Sequence, residues 1–245
     1  MLRHLAVFAV MLVFVLTIAY AADNDKTGFL DRVYKDGDKD SKYVVFIPLD
    51  YKGDKEYPLI LFLHGAGESG IDGKKQAAVG LAPAIRKREK TFPFIAVFPQ
   101  ADKAARASWT AESPYAQRAL KIVEQVQKDY KIDAKRIYLT GLSMGGYGTW
   151  SLAAAYPDKW AAVVPVCGAG EPANAAKFKN VPCWAFHGDK DGAVKVEGSR
   201  DMVKALKDAG GSPKYTEYPG VGHNSWDMAY GTDELYDWLL AQKSK

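Results

Sequence analysis

Residues 136–150 read "RIYLTGLSMGGYGTW", and the fold turns on how this stretch is understood. An apolar run from Ile137 to Leu142 ends with a single hydroxyl, Ser143, set between Gly141 and the pair Gly145-Gly146. A chain that stops a buried strand this way either closes a loose turn or bends sharply into a helix and lifts the serine out as a nucleophile. The sharp bend needs a strand before it, a helix after it, and small residues where the two backbones pack together. The stretch supplies all three, since residues 145–156 carry a helix-forming pattern. The reading is therefore a strand, a nucleophile elbow and a helix.

The neighbouring segments supply a sheet for that strand. "FLDRVYK" (29–35), the turn-rich "DGDKD" and "KYVVFIPLD" (42–50) predict an antiparallel hairpin. "YPLILFLHG" (57–65) and "FPFIAVFPQ" (92–100) are continuous apolar runs bounded by proline and glycine, the form of strands buried on both faces. Ala119, Val123, Val126 and Tyr130 recur at helical spacing behind Ser113-Pro114, a cap followed by a first-turn proline. "AAVVPVCG" (161–168), "VPCWAFHGD" (181–189) and "PKYTEYPG" (213–220) complete the strands, and helices are expected over 196–209 and 232–242. No internal repeat or linker interrupts the series. Strands alternating with helices, antiparallel only at the start, predict an α/β fold: an eight-stranded, mostly parallel, doubly wound sheet with helices on both faces. Such sheets bind ligands at the carboxyl ends of their strands.

The first residues are read differently. "MLRHLAVFAVMLVFVLTIAYAADNDK" has a basic start at Arg3, an apolar run, and Ala19-Tyr20-Ala21 as a small-x-small cleavage pattern. This predicts a signal peptide over 1–21, a single catalytic domain over 22–245, and a secreted or periplasmic protein with no membrane attachment after cleavage. Loss of Arg3, with no acid lost, lowers the net charge from +4 by one to +3. The densest basic cluster, "RKREK" (86–90), is expected at the end of a helix, so no nucleic-acid partner is expected. Cys167 closes one strand and Cys183 opens the next, which places them at opposite ends of the sheet. A strand of about five residues spans roughly 17 Å, whereas a disulfide needs Cα atoms within about 7 Å. Two free buried thiols are expected, and no metal site or cofactor.

The strand ends carry the candidate chemistry. A serine hydroxyl needs a general base, and the chain has four histidines. His4 leaves with the signal peptide. His64 and His187 each precede a glycine at a strand end, where an imidazole orders its own loop. His223, in the glycine-flanked loop "GVGHNSW", is free to reach the elbow and is the expected base. A carboxylate must orient it; of Asp189 and Asp191, the later one sits better on the loop leaving its strand. The order Ser143, Asp191, His223 is that of an α/β-hydrolase. Backbone N–H groups of Met144, opening the elbow helix, and of Ala66, in the glycine-rich "HGAGESG", are the expected oxyanion donors. Trp109, Trp226 and Gln100 lie near strand ends and are candidate substrate contacts, able to stack on or hydrogen-bond a phenolic or sugar group.

"LFLHGAGESG", "RIYLTGLSMGGYGTW", "VCGAG", "WAFHGDKDGAV" and "KYTEYPGVGHNSWD" together resemble secreted single-domain α/β-hydrolases related to dienelactone hydrolases, feruloyl and acetyl-xylan esterases and polyhydroxybutyrate depolymerases. The resemblance implies the same assignment: Ser143 as nucleophile, Asp191 as acid, His223 as base, Ala66 and Met144 at the oxyanion. Dienelactone hydrolases proper use cysteine as nucleophile, so Ser143 argues against that particular activity. The short connection over 168–180 leaves no room for a large lid, which suits soluble or polymer-linked esters. The expectation is an exported serine carboxylesterase for short-chain or aromatic esters, acetyl or feruloyl in type, on small-molecule, polysaccharide or polyester substrates. A small-peptide hydrolase is the alternative within enzymes. A non-catalytic ligand-binding α/β module is the alternative outside them.

Overall fold

A computed structural model describes residues 26–244 apart from positions 38 and 105; the expected signal peptide lies outside the described residues. The hairpin forms as β1 (Gly28–Asp36) and β2 (Lys39–Ile47), paired antiparallel from Gly28 opposite Ile47. β3 (Tyr57–Leu63), β4 (Ile95–Pro99), β5 (Ile132–Leu142), β6 (Ala162–Val166), β7 (Trp184–Gly188) and β8 (Lys214–Tyr218) follow. They form one eight-stranded sheet in the order β1-β2-β4-β3-β5-β6-β7-β8. Only the β1–β2 and β2–β4 pairings are antiparallel; the other five are parallel. β3, β4, β6 and β7 are buried along their whole length, which explains their unbroken apolar character.

The helices divide between the two faces. On one side α2 (Pro114–Asp129), α3 (Met144–Ala155) and α4 (Glu197–Asp208) pack into a core with Leu61, Leu139, Trp150 and Trp160. On the other, α1 (Leu81–Lys87), α5 (Trp226–Gly231) and α6 (Asp233–Leu240) cover Phe62, Phe98, Tyr138 and Phe186. Ser113 caps α2, its side chain accepting from the Ala116 N–H, with Pro114 in the first turn. α1 ends inside the basic cluster, with Arg86 and Lys87 in its last turn, as the sequence predicted. α5 had no sequence signal; it is a six-residue helix that turns the chain back after the His223 loop. Cys167 and Cys183 are free and buried, one following β6 and the other preceding β7. Among the described residues, no helix is long and apolar enough to cross a membrane.

The chain steps from β3 outward to β4, then crosses back to β5 on the far side of β3. Strand order therefore reverses beside β3 and β5, where an open α/β sheet forms its crevice. The 64–73 loop and Ser143 both leave the sheet there.

Candidate active site

The glycines around Ser143 are explained by what a side chain in their place would strike. A Cβ on Gly145 would lie 1.9 Å from the Leu63 carbonyl oxygen, and one on Gly141 would lie 2.4 Å from the Gly145 oxygen. The first turn of α3 thus rests directly on the end of β3, closer than any side chain permits. Ser143 itself takes φ 52°, ψ −116°, a region that an L-residue occupies only under strain. Its own N–H is committed to the Val166 carbonyl at 3.0 Å. The hydroxyl is lifted away from the sheet and remains partly exposed.

His223 meets that hydroxyl. Its Nε2 lies 2.9 Å from Ser143 Oγ and its Nδ1 2.7 Å from Asp191 Oδ2. Because a carboxylate only accepts, Nδ1 carries the proton and Nε2 presents a lone pair to the serine. The Asp191 carboxylate is fully buried. Burial alone would raise its pKa, but the His223 N–H and the backbone N–H groups of Val194 and Ala193 outweigh burial and hold it below the ordinary carboxylate range. Asp189 does something else: its Oδ1 accepts the Gly220 N–H at 2.6 Å and ties down the turn after β8. The two competing acids are thus separated by geometry, one at the imidazole and one at the turn.

Met144 opens α3 and Ala66 opens a short 3-10 turn over Ala66–Glu68. First-turn N–H groups have no acceptor within their own helix. A Cβ on Gly65 would lie 3.6 Å from the Ser143 Cβ, so the loop carrying Ala66 passes in contact with the elbow. His64 anchors that loop. Its Nε2 accepts the Ala101 N–H at 2.9 Å, so its Nδ1 carries the proton and donates to the Gly65 carbonyl at 2.6 Å. Burial lowers its pKa to about 4.

Two of the expected substrate contacts are corrected. Trp109 is fully buried, and its indole N–H donates to the His64 carbonyl at 3.0 Å. Its ring stands edge-on to His64, supporting the loop from beneath rather than facing solvent. Gln100 is also buried, and its amide is spent on the 68–73 loop, accepting from Gly73 N–H at 2.7 Å and donating to the Glu68 carbonyl at 2.9 Å. Trp109 has no surface left for a ligand, and the little that Gln100 keeps opens on a depression beside Tyr115 and Arg118, away from the elbow's cavity at Tyr147. Trp226 is partly exposed and packs edge-on against His223 at 5.3 Å. Sequence position placed all three near strand ends, but it carried no information on which way each side chain turns.

Cys167 follows β6 with φ 40°. Its sulfur, the Asp191 carboxylate and a His223 nitrogen fall within 4.8 Å of one another. Burial pushes the thiol up to about 12, while Asp191 and His223 are bonded to each other, so the chemistry of this group is a hydrogen-bonded relay beside a neutral thiol.

On the flank of α3, a cavity of about 450 Å³ is walled by Tyr147, Trp150 and Met202 and rimmed by Ser151, Asn174 and Glu171. Other depressions lie elsewhere, one of about 340 Å³ at the opposite ends of the strands beside Tyr57 and Arg136; position beside the elbow singles out this one.

The fold and this constellation define an α/β-hydrolase. The family model of the dienelactone hydrolase family matches residues 40–227, and the chain belongs to that family. Feruloyl esterase D of Neurospora crassa is 28% identical over 199 residues, covering 78% of this chain and 68% of that one. A bifunctional acetylxylan esterase/xylanase of Neocallimastix patriciarum is 28% identical over 167 residues, 66% of this chain and 24% of the larger protein. Among solved structures, a thermostable esterase superposes with a TM-score of 0.80 at 35% identity, over 88% of this chain and 63% of that one. The chain thus spans about a quarter of the Neocallimastix protein and under two thirds of the thermostable esterase.

Proposed function

We propose that this α/β-hydrolase is an exported serine carboxylesterase that cleaves short-chain or aromatic esters through an acyl-enzyme. The observation that carries the reading is the position of His223, bonded at once to Ser143 Oγ and Asp191 Oδ2. Ser143 Oγ attacks the ester carbonyl carbon as its proton passes to His223 Nε2. Asp191 holds the ring in its tautomer and stabilises the imidazolium. The backbone N–H groups of Met144 and Ala66 receive the oxyanion. As the tetrahedral intermediate collapses, His223 returns the proton to the departing alcohol. Water, deprotonated by the same imidazole, then splits the acyl-serine to release the acid and restore Ser143.

The substrate class rests on the relatives and on the cavity beside α3. Its aromatic and sulfur-bearing walls suit a ring, its hydroxyl and amide rim suits phenolic or sugar oxygens, and no basic side chain lines it to hold a carboxylate. Feruloyl and acetylxylan esterases among the relatives act on groups of that kind by name. Export rests on the apolar N-terminal stretch and its cleavage pattern. The test is a panel of initial rates on p-nitrophenyl acetate, p-nitrophenyl octanoate, methyl ferulate, acetylated xylan and an aminoacyl p-nitroanilide, with Ser143→Ala as control. Ester turnover that vanishes in the control is expected, fastest on acetyl or feruloyl groups. Cleavage of the anilide alone would replace the esterase reading with a peptidase.

A further inference from the structure

A second depression lies on the same edge of the sheet as the elbow. β2 runs antiparallel to β4, with Tyr43 opposite Pro99, so the start of β2 sits beside the end of β4. The 64–73 loop leaves β3 next to it, and α2 begins close by. These segments enclose about 340 Å³, walled by Ser41, Lys42, Ile71, Asp102, Tyr115 and Arg118. In the strand order β4-β3-β5, the last stands two strand spacings from the first, about 10 Å. Ser143 follows β5, and the cavity at Tyr147 lies beyond it on the flank of α3. The elbow thus sits between two hollows, one at the end of β4 and one beside α3.

The hollow at the end of β4 is held open by its own bonds. Gly70 N–H donates to the Ala101 carbonyl at 3.0 Å, and the Gln100 amide joins Glu68 to Gly73, so the loop presenting Ile71 is fixed on both sides. Arg118 lies against the Tyr115 ring at 5.3 Å. Its Nη1 donates to Ser41 Oγ at 2.9 Å and stands 3.7 Å from Asp102 Oδ1. A guanidinium has further N–H donors on Nε and Nη2, and among the described residues no hydrogen bond engages them. Ile71 is 76% exposed, the most of any large apolar side chain among the described residues. The walls set Asp40 and Asp102 against Lys42 and Arg118, so their charges balance. A free anion needs an excess of cations. Donors and acceptors without net charge, beside exposed apolar surface, suit a neutral polyhydroxylated ring.

We infer that this hollow is a sugar subsite: it holds an uncharged glycosyl unit of a polysaccharide, a few units along the chain from the ester at Ser143. This rests on the reading of the protein as an esterase of polysaccharide-linked esters. Arg118 donates to the oxygens of the bound unit, Asp102 accepts from its hydroxyls, and Ile71 covers its C–H face. A saccharide chain crossing the 64–73 loop above β3 joins the subsite to the elbow. A small ester such as p-nitrophenyl acetate does not span that distance, so the subsite separates polymer from small substrate.

The experiment titrates the wild-type chain with xylotetraose, an unesterified piece of the xylan in the substrate panel, and follows the backbone amides by NMR. Shifts at Ile71, Asp102 and Tyr115 are expected, with Kd about 1 mM. Raising sodium chloride from about 0.05 to about 0.5 M should change Kd by less than about twofold, because a neutral ligand has no charge to screen. Arg118→Ala should weaken binding about tenfold, the scale of a hydrogen bond to a charged group. Ile71→Ser should weaken it about threefold through lost apolar contact; its side chain is exposed, so this variant decides should Arg118→Ala fail to fold. On acetylated xylan both variants should raise KM relative to that on p-nitrophenyl acetate. No shift at about 10 mM xylotetraose, shifts confined to the cavity at Tyr147, or a Kd unchanged in Ile71→Ser overturns the subsite. Binding that collapses in salt overturns its uncharged chemistry. Xylotetraose bound here by a chain that hydrolyses no ester would remove the proposed function and leave the subsite standing; the reverse result would remove the subsite alone.

Discussion

Gly145 and Leu63 touch backbone to backbone: a methyl group on the glycine would lie 1.9 Å from the leucine carbonyl oxygen. That oxygen ends a central strand, so it has no flexible side chain to give way. Gly145→Ala should therefore push α3 off β3, costing about 3 kcal/mol, at the upper end of overpacking penalties, and misplacing Ser143. Urea unfolding with parallel ester assays checks this. A variant with wild-type stability would show the two elements to be less firmly docked than the geometry requires.

Ser143 carries the cost of its own exposure. A non-glycine residue at φ 52°, ψ −116° is strained by about 1–3 kcal/mol. Ser143→Gly should relieve that strain, lose part of the gain to the greater freedom of the unfolded glycine, and emerge more stable by about 1 kcal/mol while hydrolysing no ester. Ser143→Ala keeps the Cβ, hence the strain, and should unfold near the wild type. Equal or lower stability of the glycine variant would count against a strained elbow.

Asp191 and Asp189, two residues apart, should separate cleanly under mutation. Asp191→Asn leaves His223 without a carboxylate and is expected to lower kcat by about 10⁴-fold, as loss of the orienting acid does in serine hydrolases. Asp189→Ala should cost only the bond to Gly220, about 1 kcal/mol of stability, with kcat within a few-fold of wild type. Steady-state rates on one ester settle it; the reverse order of effects would reassign the acid.

Acid should weaken the fold through His64. Its folded pKa, about 4, is depressed from 6.5 by burial, so the native state prefers the neutral ring. The unfolded chain binds the extra proton first as pH falls, and stability declines between about pH 6.5 and 4. The full loss is on the order of 3 kcal/mol. Asp191, also depressed, adds a loss only lower, as pH falls through the carboxylate range. Unfolding free energies at pH 7 and pH 5 should differ less in His64→Gln than in the wild type; an unchanged difference would locate the proton elsewhere.

The contrast between Ser143 and Trp109 shows what the sequence could convey. The strand, the glycines and the helix around Ser143 are local features, and each is written in adjacent residues. The sheet likewise follows from apolar runs and their spacing, and the choice of His223 follows from its place in the loop after the last strand. Side-chain direction is not local. Whether Trp109 faces a ligand or the underside of the His64 loop depends on where that loop lies after β3 and β4 pair, and nothing near Trp109 states it. The turn of the Gln100 amide into the 68–73 loop is non-local in the same way. His187, which its place before Gly188 predicts to order its own loop, does so by bonding the Val194 carbonyl.

The two thiols have a use that does not depend on catalysis. Cys167 and Cys183 lie at opposite ends of the sheet, both buried and both held in the poorly reactive thiol form. They are the only cysteines in the chain. An alkylating reagent added to the native protein should therefore mark each sulfur only when its own end of the sheet opens. Mass spectrometry of peptides from brief labelling would then time the two ends separately. If the strained end beside Ser143 opens first, Cys167 is labelled before Cys183, and the molecule reports its own weakest point without an added probe.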